Sequence, residues 1–172
     1  MREALALEAR RDLYQHLLRH PGQYLRELQR VFGSMGTLEY HLEQLVAANL
    51  VTVVQDGNKR FFPARMDAED KRRVAFLRQT IPRRILAWLI EHGQQSKAAI
   101  LAGLDLASST ANYHLQHLVE AGLIEASREG REAVYRVIDG DAVMRLAITY
   151  QSSIMDRMID RLVEGADGMR GP

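Results

Sequence analysis

The 172 residues are 47% hydrophobic and 26% charged, an ordinary globular balance with enough apolar material for a buried core. Cysteine is absent, which excludes disulfides and thiolate metal sites, and no apolar run approaches the length of a membrane span. The formal net charge is only +1, so attraction to a polyanion would have to come from the local placement of charge.

That placement is uneven. Residues 139–172 carry 4 basic and 6 acidic groups, the only segment with an acidic excess. Arginine supplies 20 of the 23 basic residues (23 less the lysines at 59, 71 and 97), and its guanidinium can fork onto phosphate or guanine. The N-terminus is charged from Arg2 and has no apolar signal core, so the chain is expected in the cytoplasm.

In chain order, residues 2–10 are expected to extend the first helix backward, and Leu13, Tyr14, Leu17 and Leu18 carry its helical spacing. Pro21-Gly22 stops it. A second helix is predicted around 23–32 with Leu25, Leu28 and Val31 inward, then a tight turn at Gly33-Ser34-Met35. The third helix contains Tyr40-His41-Leu42 and ends at Asn49-Leu50. Two short strands meet around Asp56-Gly57-Asn58. Segment 64–82 is predicted as a helical connector with Val74, Leu77 and Ile81 on one face, and Pro82 opens a second unit.

The pattern then recurs. Ile85, Leu86, Leu89 and Ile90 repeat the first helix, which His92-Gly93 stops. A second helix falls around 96–103, a turn at Asp105 to Ser108, a third helix up to Gly122-Leu123, and a hairpin around Glu129-Gly130-Arg131. The segments "TLEYHLEQLVAANLV" at 37–51 and "TANYHLQHLVEAGLI" at 110–124 share eight of fifteen positions, an identity that aligns the two units. Region 140–164 is predicted as a longer amphipathic helix with Val143, Ala147, Tyr150, Ile154, Met158 and Leu162 in a stripe. Met144, Ile148, Met155 and Ile159 widen that stripe beyond what one neighbour needs. The tail 165–172 is expected to fray.

Helix, helix, turn, helix and hairpin is the winged helix-turn-helix order. The expected fold is therefore mainly α with small β-hairpin wings, as two tandem units. The division is 1–63 first unit, 64–82 connector, 83–138 second unit, 139–164 dimerisation helix and 165–172 tail. At 100° per residue Leu38, Leu42 and Leu45 share one face of the third helix, as do Ala111, Leu115 and Leu118. Tyr40 and Tyr113 project nearly opposite, and His41 and His114 sit at the edge. In this fold the third helix enters the major groove. The candidate contacts are Ser109, Thr110, Asn112, Tyr113, Gln116 and His117 in the second unit, and Gly36, Thr37, Tyr40 and Gln44 in the first. The wings offer Arg128 and Arg131, and Asn58, Lys59 and Arg60.

The small polar residues, the T-x-x-YHL-x-x-L phrase ending in (G/N)-L-(V/I), and the charged hairpin resemble the MarR/ArsR-like winged-helix transcription regulators. The tandem arrangement is similar to regulators common in archaea. The resemblance covers roughly 10–164 and implies a regulator that reads double-stranded DNA. A homodimer is expected from the stripe at 143–162, which a monomer would leave partly exposed. The resemblance implies no membrane partner and no cofactor, and leaves room for an unidentified protein or small-molecule effector. The alternative is a tandem winged-helix scaffold for protein contacts, which the carboxylates Glu39 and Glu43 on the first third helix favour. Asn112 and Gln116 replace them in the second unit, which is the better base reader. A ligand pocket lined by Trp88, Phe76 and the C-terminal helix is a minor reading. His114 and His117, or His16 and His20, have metal-ligand spacing but no supporting ligands, and no catalytic motif is visible, so neither a metal nor enzyme activity is expected.

Overall fold

The computed structural model describes residues 7–33, 35–152 and 154. Met1–Lys71 and Arg72–Pro172 form two compact units.

In the first unit, helix α1 (Glu8–Arg19) is followed by the two-residue strand β1 (Gln23–Tyr24), α2 (Leu25–Phe32), α3 (Met35–Ala47), β2 (Val51–Asp56) and β3 (Asn58–Pro63). Leu13 and Leu17 of α1, Leu28 of α2, Leu38, Leu42 and Leu45 of α3, and Leu50, Val51 and Phe61 make one buried cluster. Five of these are the helical-spacing leucines of α1 and α3. Burying each contributes roughly 1.5–3 kcal/mol relative to exposure. Val31, expected inward, is 56% exposed. Leu28 takes the buried position of α2, and Phe32 packs from the edge.

Helix α4 (Ala68–Leu77) carries the chain across the division. The second unit continues with α5 (Thr80–His92), β4 (Gln95–Ser96), α6 (Lys97–Leu104), α7 (Ser108–Glu120), β5 (Ile124–Glu129), β6 (Glu132–Val137) and α8 (Gly140–Thr149). Helix α5 starts two residues before Pro82. Proline is tolerated there because first-turn N–H groups have no intrahelical partner. Helix α8 has Tyr150 as its C-cap, and Gln151, Ser152 and Ile154 are again helical; residues 155–164 of the expected helix lie outside the described residues. Expectations for 2–6, Ser34, the stripe residues Met158 and Leu162, and the tail lie outside the described residues.

The repeat is carried by the core. The buried residues Ile85, Leu89, Ile100, Ala111, Leu115, Leu118, Leu123 and Ile124 stand at offsets of 72 or 73 from Leu13, Leu17, Leu28, Leu38, Leu42, Leu45, Leu50 and Val51. Each third helix closes alike. Asn49 and Gly122 take positive φ (53° and 68°), and Leu50 N and Leu123 N donate back to Leu45 O and Leu118 O at 2.9 and 3.0 Å. That is the left-handed helix stop which Gly and Asn tolerate best.

Two features went beyond expectation. Each hairpin gains a third strand, in orders β1-β3-β2 and β4-β6-β5, so the wings are three-stranded antiparallel sheets. The second helices consequently begin at Leu25 and Lys97. The repeat also includes a fourth helix, since α4 and α8 are both ten residues at an offset of 72. Asp67 Oδ1 accepts from Asp70 N at 2.7 Å, and Asp139 Oδ1 accepts from Ala142 N at 3.0 Å, so the two helices start on the same side-chain cap.

In the second unit Gly103 of α6 lies against the Trp88 ring, where an added Cβ would come within 2.2 Å of Cζ2. The ring cannot retreat freely, because it also stacks on His92 at 3.7 Å between centroids. Gly103→Ala is therefore expected to destabilise. Overpacking of about 1–3 kcal/mol outweighs a helix-propensity gain of about 1 kcal/mol. Chemical denaturation followed by Trp88 fluorescence measures it, and an unchanged midpoint with an unchanged spectrum would contradict the packing described.

Candidate nucleic-acid interface

Helix α7 is positioned by burial of one face. Ala111, Leu115 and Leu118 are buried, while Ser109, Asn112, Tyr113, Gln116 and His117 are exposed and Thr110 is half-buried. Tyr113 is 58% exposed, a large aromatic held out by the helix frame. Its ring packs along the helix on His117 (centroids 4.2 Å) and edge-on to His114 (5.0 Å). Gln116 Nε2 donates to Glu120 Oε1 at 2.8 Å. Glu120 was not among the residues anticipated for this face, although its i,i+4 spacing from Gln116 was a usable signal.

The wing of the second unit is the β5–β6 hairpin, in register from Ile124↔Val137 to Glu129↔Glu132, with Gly130 and Arg131 at its tip. Arg128 and Arg131 are exposed. Glu129 beside them accepts from Gln94 Nε2 at 3.1 Å. Farther down, Arg136 Nε donates to Glu125 Oε1 at 2.9 Å, tying the two strands together on their open side.

In the first unit α3 presents the same frame. Gly36, Thr37, Glu39, Tyr40 and Glu43 are exposed, and Gln44 is half-buried. Asn58 and Lys59 are exposed at the wing tip. Arg60 corrects the expectation: it is only 2% exposed. It stands at the register position that the buried Val134 fills in the second unit, on the strand face opposite Phe61, and its cross-strand neighbour is Tyr24 rather than Ser96. The guanidinium lies 4.2 Å from the Tyr24 ring centroid, and Nη1 donates to Gly22 O at 3.5 Å. A guanidinium so placed serves packing and a cation–π contact and cannot reach a phosphate.

On α8, Val143 and Ile154 of the expected dimerisation stripe are buried, and Ala147 and Tyr150 are half-buried. The apolar side chains left outward are Met144 and Ile148, 44% and 66% exposed. A shallow cavity of about 300 Å³ is lined by Leu89, Ile90, Arg136, Val137, Gly140, Asp141 and Met144. It takes in Met144 but neither Trp88 nor Phe76. Among the described residues, no three His, Asp or Glu side chains are placed to hold a metal ion, and no helix is long and apolar enough to cross a membrane.

A family model described as a helix-turn-helix domain matches this chain twice, over residues 5–54 and 81–126, together more than half of it. A Methanocaldococcus jannaschii protein named as an uncharacterized HTH-type transcriptional regulator is 30% identical over 137 residues, covering 78% of this chain and 34% of that one. The Mycobacterium tuberculosis HTH-type transcriptional regulator Rv0324 is 33% identical over 84 residues, covering 49% of this chain and 37% of that protein. The chain thus matches only about a third of the length of these relatives. Among solved structures, a Mycobacterium bovis winged helix-turn-helix DNA-binding domain is similar at 28% identity and a TM-score of 0.39. The match covers 55% of this chain and 82% of that one, which is described as homodimeric and a possible ArsR-family transcriptional regulator.

Arg60→Ala is expected to lower stability by about 2 kcal/mol through the lost cation–π and stem packing, while Arg131→Ala stays within about 0.5 kcal/mol, as an exposed site should. Denaturant titration of both variants separates them, and equal stability would place Arg60 at the surface after all. His114 is held below its ordinary pKa, first by burial and second by the nearby His117 charge. The folded state therefore favours neutral imidazole, and stability is lost as pH falls through the ordinary His range. His114→Gln should flatten the fall of the thermal midpoint between neutral and mildly acidic pH. A fall as steep as that of the parent would contradict the assignment.

Proposed function

The chain belongs to the helix-turn-helix domain family, and from that premise we propose that it is a transcription regulator that reads double-stranded DNA, chiefly through α7 and the β5–β6 wing. One observation carries this reading. Helix α7 turns a continuous strip of hydroxyl, amide and aromatic side chains outward (Ser109, Asn112, Tyr113, Gln116, His117) with no exposed carboxylate before Glu120. Amides and hydroxyls serve base edges, and the free N–H groups of the helix start attract phosphate. Arg128 and Arg131 supply backbone contacts that carry affinity without sequence.

The first unit is the weaker DNA element. Glu39 and Glu43 lie where Asn112 and Gln116 lie in α7, and carboxylates repel phosphate. On the same helix Tyr40 and Val46 are exposed, and apolar side chains outward beside carboxylates favour protein contact for this unit as a second reading.

A homodimer is proposed from the outward Met144 and Ile148 on α8. Two-fold symmetry would match an operator of two half-sites spaced by whole helical turns.

Selection of duplexes from a randomised pool, followed by affinity measurements across a salt series, tests the DNA reading. The expected result is a preferred site and affinity that falls as salt rises. Asn112→Ala and Tyr113→Ala are each expected to cost about 1–3 kcal/mol on the preferred site if a base contact is lost, and Arg131→Ala to weaken all sequences alike. Failure to bind any duplex at low salt would favour the protein-scaffold reading. Glu39→Asn with Glu43→Gln, which copies α7 onto α3, should tighten binding. No change would mean that α3 stays off DNA. Light scattering should find a dimer that Ile148→Asp dissociates, and a monomeric parent at high concentration would end the dimer proposal.

A further inference from the structure

The outer face of α7 holds one side-chain pair with no counterpart in α3. Gln116 Nε2 donates to Glu120 Oε1 at 2.8 Å, whereas the repeat puts Glu43 and Ala47 at those positions of the first unit. A carboxylate offers only acceptors, so the amide nitrogen must face Glu120, and repulsion turns the amide oxygen away from it. The oxygen and the second N–H are then presented together toward solvent. An acceptor beside a donor, held in that order, is the fork that matches N6–H and N7 of adenine in the major groove.

The rest of the helix agrees. Helix α7 contains no Arg or Lys, the side chains that fork onto guanine. Asn112, one turn earlier on the same strip, is a second amide of the same type. Helix stability gains little from Glu120, because a carboxylate in the last turn meets the negative end of the helix dipole and offsets the small gain that an i,i+4 pair contributes. Electrostatics toward DNA gives no reason for it either, since a carboxylate would repel phosphate. What it does here is fix Gln116.

Resting on the reading that α7 enters a major groove, we propose that Gln116 is a base-specific reader, that the base it reads is adenine, and that Glu120 is the positioning residue that holds its amide for that contact.

The test uses the full chain and a duplex selected from a randomised pool. Each adenine is replaced in turn by 7-deazaadenine, which lacks the N7 acceptor. Affinity is expected to drop roughly fivefold to tenfold at one position per half-site, as loss of part of a bidentate contact should give. With Gln116→Ala the natural and deaza duplexes should bind alike at that position. Glu120→Ala should reduce the preference for adenine over guanine there several-fold, and Glu120→Gln should recover only part of it, because an amide can donate to Gln116 Oε1 as well as accept from Nε2 and no longer forces one orientation. Neither variant should change the salt slope by as much as one phosphate contact would, and thermal melting should show both folded. Guanine at the Gln116-sensitive position would overturn the proposal, as would an adenine preference untouched by Glu120→Ala. Failure to bind any duplex would overturn the groove reading beneath it, and this proposal with it.

Discussion

The structure depends on burial of one leucine-bearing face of each third helix. Leu38, Leu42 and Leu45 in α3, and Ala111, Leu115 and Leu118 in α7, are almost fully enclosed. Each helix is thereby fixed in rotation about its axis, and the opposite face has no choice but solvent. Tyr40 and Tyr113 are exposed for that reason, and so are the polar residues around them. A rotation of about half a turn would bury the tyrosines and expose the leucines, at about 1.5–3 kcal/mol for each leucine uncovered. The outward face is a by-product of the core in its position, though not in its chemistry.

The two units share the core and differ at the surface. Eight buried positions correspond one to one, so the fold tolerates little there. On the outer faces, Glu39 and Glu43 stand against Asn112 and Gln116, and Ala47 against Glu120. The sheets show the same freedom, as where the pair Tyr24 and Arg60 takes the place of Ser96 and Val134. A buried guanidinium is accommodated there with an aromatic face and the Gly22 carbonyl against it.

Most of this was legible in the sequence where periodicity ran long enough. The helical spacing of leucines, the Asn49 and Gly122 stops and the hairpin turns all located their elements. The two-residue strands β1 and β4 were not legible, because two residues carry no period. Arg60 was read as surface because charge usually means surface, and its burial emerges only once Tyr24 is seen to lie against the guanidinium. The equivalence of α4 and α8 was hidden because only scattered residues recur between them, Asp67 and Asp139 among them. The shared cap emerges once both helices are seen to start on it. At the candidate site the outward strip could be listed from 100° steps, whereas the Gln116–Glu120 bond and the Tyr113–His117 stack required side-chain geometry.

If the second unit reads DNA through α7 and its wing, a bound duplex must perturb those residues first. Mapping backbone amide chemical shifts while a selected duplex is titrated into the full chain reads this out residue by residue. The largest perturbations are expected on 108–117 and 128–131, with smaller ones on 36–44. Perturbations confined to the first unit, or none at all at low salt, would contradict that reading.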